Sequence, residues 1–255
     1  MLVCVASAKG SPGVSTAALA MALAWLSPVL LAELDPAGGD LRPRIMPSLT
    51  GSHQLLNLAS ADTLTSKDVA AQVVSLDPPG HTKVVLPGLS DPTTAGALSQ
   101  TWPDLAEVLC GFQLREGQPS LDVVADCGRL GVETPQPVLA RADAVLVLLR
   151  ARLDSVAVTA PVIARLKKSC AAPVLPVLVQ DGPYGARDIE RTLGQRCARL
   201  PYDPAGAGAL ESGRWGRRLD RSALLRGVRA LVGDLVQAHT RTGGEDLVAL
   251  EARRG

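Results

Sequence analysis

The chain has 255 residues, 47% of them hydrophobic, enough to bury one large core or two small ones. Its 26 Lys+Arg against 25 Asp+Glu leave a net charge of +1, so overall charge makes no case for nucleic acid or an anionic membrane. Three Trp, two Tyr and one Phe, none interleaved with basic runs, argue against a stacking platform for single-stranded nucleic acid.

Taken from the N-terminus, apolar runs at residues 2–8, 29–33, 83–86, 121–125, 144–149, 174–179 and 198–200 read as strands. Helix-like segments lie among them at 15–26, 66–74, 94–110, 155–168, 186–193 and 222–239. Most strand runs are continuous in Val, Leu and Ala, the pattern of strands buried on both faces. The expected fold is therefore α/β: a mostly parallel sheet covered by helices on both faces. It forms a single domain over residues 1–239, with a tail at 240–255 that mixes Gly with both charge signs and frays. The Pro-rich patches at 77–80 and 180–183 read as turns inside that domain.

No run approaches the ~20 apolar residues of a membrane span, and the first run is broken by Lys9, Gly10 and Pro12, unlike a secretory leader. Cys4, Cys110, Cys127, Cys170 and Cys197 are widely spaced, and each reads as a small core hydrophobe in a reducing compartment. Only five of the 26 basic residues are lysine, while Ala, Gly and Pro abound, as in a GC-rich bacterial genome. The expected location is cytoplasmic. One stretch departs from neutrality: residues 187–229 hold ten arginines against Asp188, Glu190, Asp203, Glu211 and Asp220. That surplus is either a solvated helix face or a basic surface for DNA or acidic lipid.

Ligands of open parallel sheets bind at the C-terminal ends of strands, and three predicted strand ends carry unusual residues. The first is followed by Lys9-Gly10-Ser11-Pro12-Gly13-Val14-Ser15-Thr16 and then an alanine-rich helix. Glycines at 10 and 13 let backbone approach an anion, Pro12 stiffens the turn, and Ser15 or Thr16 caps the helix. Backbone N–H groups at a helix N-terminus in this setting can cradle phosphate oxygens. In the common phosphate loop, Gly-x-x-x-x-Gly-Lys-[Ser/Thr], a lysine holds the position of Val14. The plainer alternative is an ordinary strand-turn-helix connection. The second and third ends carry Asp35 and Asp126, either turn-forming aspartates or a pair of carboxylates facing the same ligand.

These segments resemble the ParA/MinD family of ATPases. Its deviant loop, Lys-Gly-Gly-x-Gly-Lys-[Ser/Thr]-Thr, is matched at Lys9, Gly10, Gly13, Ser15 and Thr16, with Ser11 replacing a glycine and Val14 the second lysine. Residues 29–41, ending Asp35-Pro36-Ala37-Gly38-Gly39-Asp40-Leu41, look like the family's second strand and first switch, with Glu33 where an aspartate is frequent. Residues 121–128 resemble its Walker B strand, ending in Asp126. Residues 200–204 and 207–213 resemble its base-proximal loop, including Pro201, and the helix that follows. Gln180 stands about where an adenine-reading Asn is common. The likeness spans residues 1 to about 236 and is vague between 49 and 118.

The resemblance implies ATP with Mg²⁺ as ligands. Residues 9–16, Gln180 and Pro201 would hold nucleotide; Ser15, Asp35 and, through water, Asp126 would hold the metal. It gives Asp35 the attacking water and sends Lys9 across a homodimer interface to the partner's nucleotide. A missing loop lysine removes a donor worth ~3–4 kcal/mol of transition-state stabilisation, so hydrolysis is expected to be weak or lost. The expected function is a nucleotide-gated switch that positions a cargo or assembly through a protein partner, as in partition or pilus localisation. The stretch 35–41 is more like the CpaE/TadZ pilus-assembly branch, although a chain opening on its first strand lacks the receiver-like domain common there. Two alternatives stand: an active partition ATPase in which Arg42, Arg44 or Arg152 replaces the lysine, or an interaction scaffold that binds no nucleotide. The apolar stripe of residues 222–239 fits a core-packed closing helix better than a membrane anchor.

Overall fold

Eight strands form one sheet in the computed structural model, which describes residues 1–9, 12–41, 53–77, 80–213 and 215–242. They are β1 (Leu2–Ser7), β2 (Val29–Glu33), β3 (Val74–Ser75), β4 (Lys83–Leu86), β5 (Asp122–Arg129), β6 (Ala144–Arg150), β7 (Val174–Val179) and β8 (Ala198–Leu200). The spatial order is β3-β4-β2-β5-β1-β6-β7-β8. All neighbours pair in parallel except β3, which runs antiparallel to β4 at the edge. The chain winds outward from β1 through β2 to β4, returns to β5 beside β1, and then builds the other half from β6. The reversal puts the ligand crevice at the C-terminal end of β1.

The helices are α1 (Val14–Ala24), α2 (Ser66–Ala70), α3 (Trp102–Cys110), α4 (Gln136–Arg141), α5 (Leu153–Ser169), α6 (Ala186–Leu193), α7 (Pro204–Glu211), α8 (Arg217–Asp220) and α9 (Ala223–Thr242). The sheet separates two cores, and period-2 geometry divides β1 between them. Val3 and Val5 face α1 and α9, while Leu2, Cys4 and Ala6 face α3 and α4. Leu224, Leu225, Val228, Leu231, Val232 and Leu235 of α9 are buried in the first core, so the apolar stripe of this helix serves packing.

Several predicted boundaries moved. The helix expected at 94–110 is broken into a 3-10 segment (Pro92–Leu98) and α3, because Pro103 in the first turn of α3 clashes with a helix entering from upstream. Residues 71–74 leave the predicted 66–74 helix so that Val74 and Ser75 can pair with Val85 and Val84. Helix α9 continues through Thr242 into the predicted tail, whose remaining residues lie outside the described ones. All five cysteines are free; Cys4, Cys127 and Cys170 are buried, but Cys110 is exposed and Cys197 half-buried, contrary to the expectation of five core residues. Among the described residues no helix is long and apolar enough to cross a membrane.

Candidate nucleotide site

The site is built on a defect in the pairing of β1 with β5. Val5 lies opposite Asp126, but Ser7 lies opposite Arg129, so β5 carries one extra residue. Such a bulge redirects side chains at a strand end. Gly128 absorbs it at φ 59°, in the left-handed region, and donates its N–H to Asp126 Oδ1 at 3.0 Å. A Cβ at Gly128 would overlap the carboxyl group of Asp35, so the missing side chain makes room for that aspartate. Predicted strand 121–125 therefore continues past Asp126 to Arg129.

The turn from β1 to α1 ends in Gly13 at φ 91°, with no side chain capping the helix. This corrects the expectation that Ser15 or Thr16 is the cap: both hydroxyls lie inside the first turn and bind carboxylates. Ser15 hydrogen-bonds Asp126, and Thr16 Oγ1 donates to Glu211 Oε1 of α7 at 3.1 Å. The first helical N–H groups thus have neither an intrahelical partner nor a cap. They border a cleft of about 650 Å³, a volume suited to a small organic ligand.

The two ends of the cleft differ. One, over β2, β5 and β1, is polar, formed by residues 12–16 with Asp35, Asp40 and Arg129; the other, over β6, β7 and β8, is mostly apolar, formed by Leu148, Val179, Leu200, Pro201 and Leu224 beside Arg150, Tyr202 and Asp203. Asp126 lies below the polar end, 3% exposed. Burial pushes its carboxyl up to about 7, with Asp35 and Glu33 adding to the rise and the Ser15 and Gly128 hydrogen bonds opposing it. Burial also raises Asp35, helped by Asp40 and opposed by the Ala37 amide and by Arg129. Ala37 N donates to Asp35 Oδ1 at 2.8 Å, folding the loop back over its own aspartate.

Pro12, Gly13, Val14, Ser15, Thr16, Asp35 and Pro201 thus line one cleft, with Asp126 beneath it. The Val14 side chain, 7% exposed, packs into the core beside α9 and supplies no polar group to the ligand. Gly10 and Ser11 lie outside the described residues, as do Arg42 and Arg44. Two expected members are elsewhere. Lys9 is exposed and salt-bridged at 2.5 Å to Asp154, in the first turn of α5. Gln180 is exposed and off the lining; its backbone N–H donates to Leu200 O, which turns the residue outward at the end of β7. Arg152 is also off the lining, paired with Asp181 at 3.0 Å. Glu33 faces neither ligand nor solvent. Its buried carboxylate accepts from Leu41 N at 2.9 Å and Gly88 N at 3.0 Å, tying the 35–41 loop to the end of β4.

Sequence reasoning missed Arg129, Arg150 and Glu211, all on the cleft wall. The two arginines terminate β5 and β6, so a charged residue closing an apolar run was the available signal. Glu211 had none, because its contact with Thr16 spans 195 residues. Four of the ten arginines of 187–229 are ion-paired within the region. Arg191 pairs with Asp188, Arg196 and Arg199 flank Glu190, and Arg229 pairs with Asp220.

No protein-family model matches the sequence, and no curated protein is similar to it at the level of sequence. Solved structures match the fold. A ParA family ATPase from Chlorobium tepidum TLS superposes with a TM-score of 0.70 at 18% identity, covering 91% of this chain and 96% of that one. The MinD cell division protein of Aquifex aeolicus gives 0.68 at 16%, covering 91% and 97%. The septum site-determining protein MinD of Pyrococcus horikoshii OT3, complexed with Mg-ADP, gives 0.65 at 16%, covering 99% and 98%. At such identities the likeness is one of architecture: this chain has the fold of the ParA/MinD ATPases.

Proposed function

We propose that the protein is a ParA/MinD-like nucleotide-binding switch that positions a cargo or an assembly, with ATPase activity weakened or lost through Val14. The observation that carries the proposal is the convergence, on one cleft, of the uncapped N-terminus of α1, Asp35, and the Ser15–Asp126 pair. A fold that in another protein holds Mg-ADP supports the ligand class. The polar end suits phosphates and the apolar end a base.

Mg²⁺ fits the same place. Among the described residues no three His, Cys, Asp or Glu side chains are grouped to bind a metal by themselves. Magnesium bound with nucleotide needs less, since it keeps waters and takes phosphate oxygens. Ser15 would supply a hydroxyl, Asp126 a carboxylate acting through water, and Asp35 a second carboxylate near the terminal phosphate. A divalent cation beside the fully buried Asp126 would offset the desolvation that pushes its carboxyl up to about 7. Bound there, the ion would neutralise phosphate charge. The chain's own residues do the rest: α1 N–H groups orient the phosphates, and Asp35 orients water at the terminal one.

Nucleotide-gated homodimerisation and a protein partner belong to this reading, as does a cytoplasmic location. Among the described residues of 187–229, Arg187, Arg217, Arg218, Arg221 and Arg226 remain as exposed cations outside the ion pairs of that region, available to DNA. The CpaE/TadZ-like branch is the subgroup proposed. Calorimetry with Mg-ATP, Mg-ADP and Mg-GTP, followed by light scattering of each complex, tests the switch. Binding with a doubling of mass in ATP is expected; no heat with any nucleotide at millimolar concentration rejects it in favour of a scaffold.

A further inference from the structure

Replacing the loop lysine by Val14 leaves a question of charge, because the polar end of the cleft holds Asp35 and Asp40. Polyphosphate there needs a cation from this chain besides any metal. Four described cations surround the site, and three are committed. Lys9 is held by Asp154. Arg150 and Arg152 share Asp181, at 3.2 Å and 3.0 Å. Arg129 is different: it lines the cleft, forms no ion pair among the described residues, and acts on Asp35 only at longer range.

Its placement is specific. Arg129 closes β5 directly opposite Ser7, so its backbone adjoins the start of the phosphate turn. The following amide, Leu130 N, donates to Ser7 O at 2.8 Å and fixes that position. The bulge at Gly128 sets Arg129, in place of Gly128, opposite Ser7, and β5 lies between β2 and β1, on the side of the sheet where Asp35 and Asp40 follow β2 and far from β8 with Leu200. We infer that Arg129 replaces the absent loop lysine, its guanidinium binding the terminal phosphates of a nucleotide whose base occupies the apolar end. The planar fork of arginine reaches two phosphate oxygens at once, which a lysine does not. The cation has moved from the helix N-terminus to a strand end.

This inference rests on the nucleotide reading and deepens it. The test is calorimetry of wild type and Arg129→Ala with Mg-ATP and with AMP, plus ligand-free melting of both. The expected result is an unchanged ligand-free melting temperature, Mg-ATP binding weakened on the order of 10-fold or more, and AMP binding unaltered, since AMP does not reach Arg129. Equal Mg-ATP affinity in wild type and variant overturns the assignment and leaves the nucleotide reading standing. An equal loss for Mg-ATP and AMP also overturns it, because that marks a general disturbance of the cleft. Wild-type protein that binds neither ligand removes the nucleotide reading, and the role of Arg129 falls with it.

Discussion

Gly128→Ala tests whether the bulge in β5 exists to seat Asp35. The substitution has two costs that can be separated. Gly128 lies at φ 59°, and an L-residue there costs about 1–2 kcal/mol. Its new methyl group would also occupy the volume of the Asp35 carboxyl group, and overpacking of that sort costs about 1–3 kcal/mol. The single variant should therefore lose about 2–5 kcal/mol of unfolding free energy in urea. Asp35→Ala removes the atoms that collide, together with the hydrogen bond from Ala37 N. In that background Gly128→Ala should cost only the backbone part, about 1–2 kcal/mol. The double-mutant cycle, measured by urea denaturation of ligand-free protein at constant m-value, should thus show a coupling of about 1–3 kcal/mol. Additivity within about 0.5 kcal/mol would mean that Asp35 and Gly128 do not touch, and the account of the site given above would fail.

Three further outcomes follow from named contacts. Asp203 caps α7 and also ties down α9, accepting from Gly206 N at 2.9 Å and Leu224 N at 3.1 Å; Asp203→Ala should cost about 1–2 kcal/mol. Those bonds, Gly206 first, hold its carboxyl below the usual range. Its contribution is therefore full above the unfolded value near 3.9 and is lost as pH falls through the lower folded value, a slope that Asp203→Asn should flatten in denaturation series at acid pH. Glu33→Gln puts an NH₂ group where backbone amides donate, leaving a buried donor unmet at about 1–3 kcal/mol; hydrogen exchange at Leu41 and Gly88 should accelerate, and unchanged protection would contradict the clamp. Lys9→Ala and Asp154→Ala should each leave the urea midpoint nearly unchanged, because both partners of the ion pair are about half exposed and solvent screens them; a clear loss of midpoint would show that the contact organises the fold.

The parts of the fold that were legible in the sequence are those that physics writes into local pattern. Strands such as Val29–Glu33 and Val174–Val179 have the bounds expected, because burial on both faces makes them uninterrupted apolar runs with sharp polar ends. β3 has two residues and no period to read, and α4 has six residues with a proline in its first turn. The site divides the same way. Asp35 and the turn at Gly13 are marked by local punctuation at strand ends. Asp126 is marked less well, since the expected strand stopped at 125, four residues short of the end of β5, and nothing local signalled that Gly128 would carry a bulge. What two strands do to each other was hidden. Register between β1 and β5 decides that Arg129 reaches the cleft, and register is a property of the pair. The fate of a carboxylate was hidden for the same reason: Glu33 and Asp35 lie two residues apart on one β-rich segment and should share a side, yet β2 ends at Glu33, and the chain turns at Asp35, whose carbonyl accepts from Gly38 N at 3.0 Å. The first therefore spends its charge on backbone amides in the interior, and the second is left at the cleft, where a ligand can meet it.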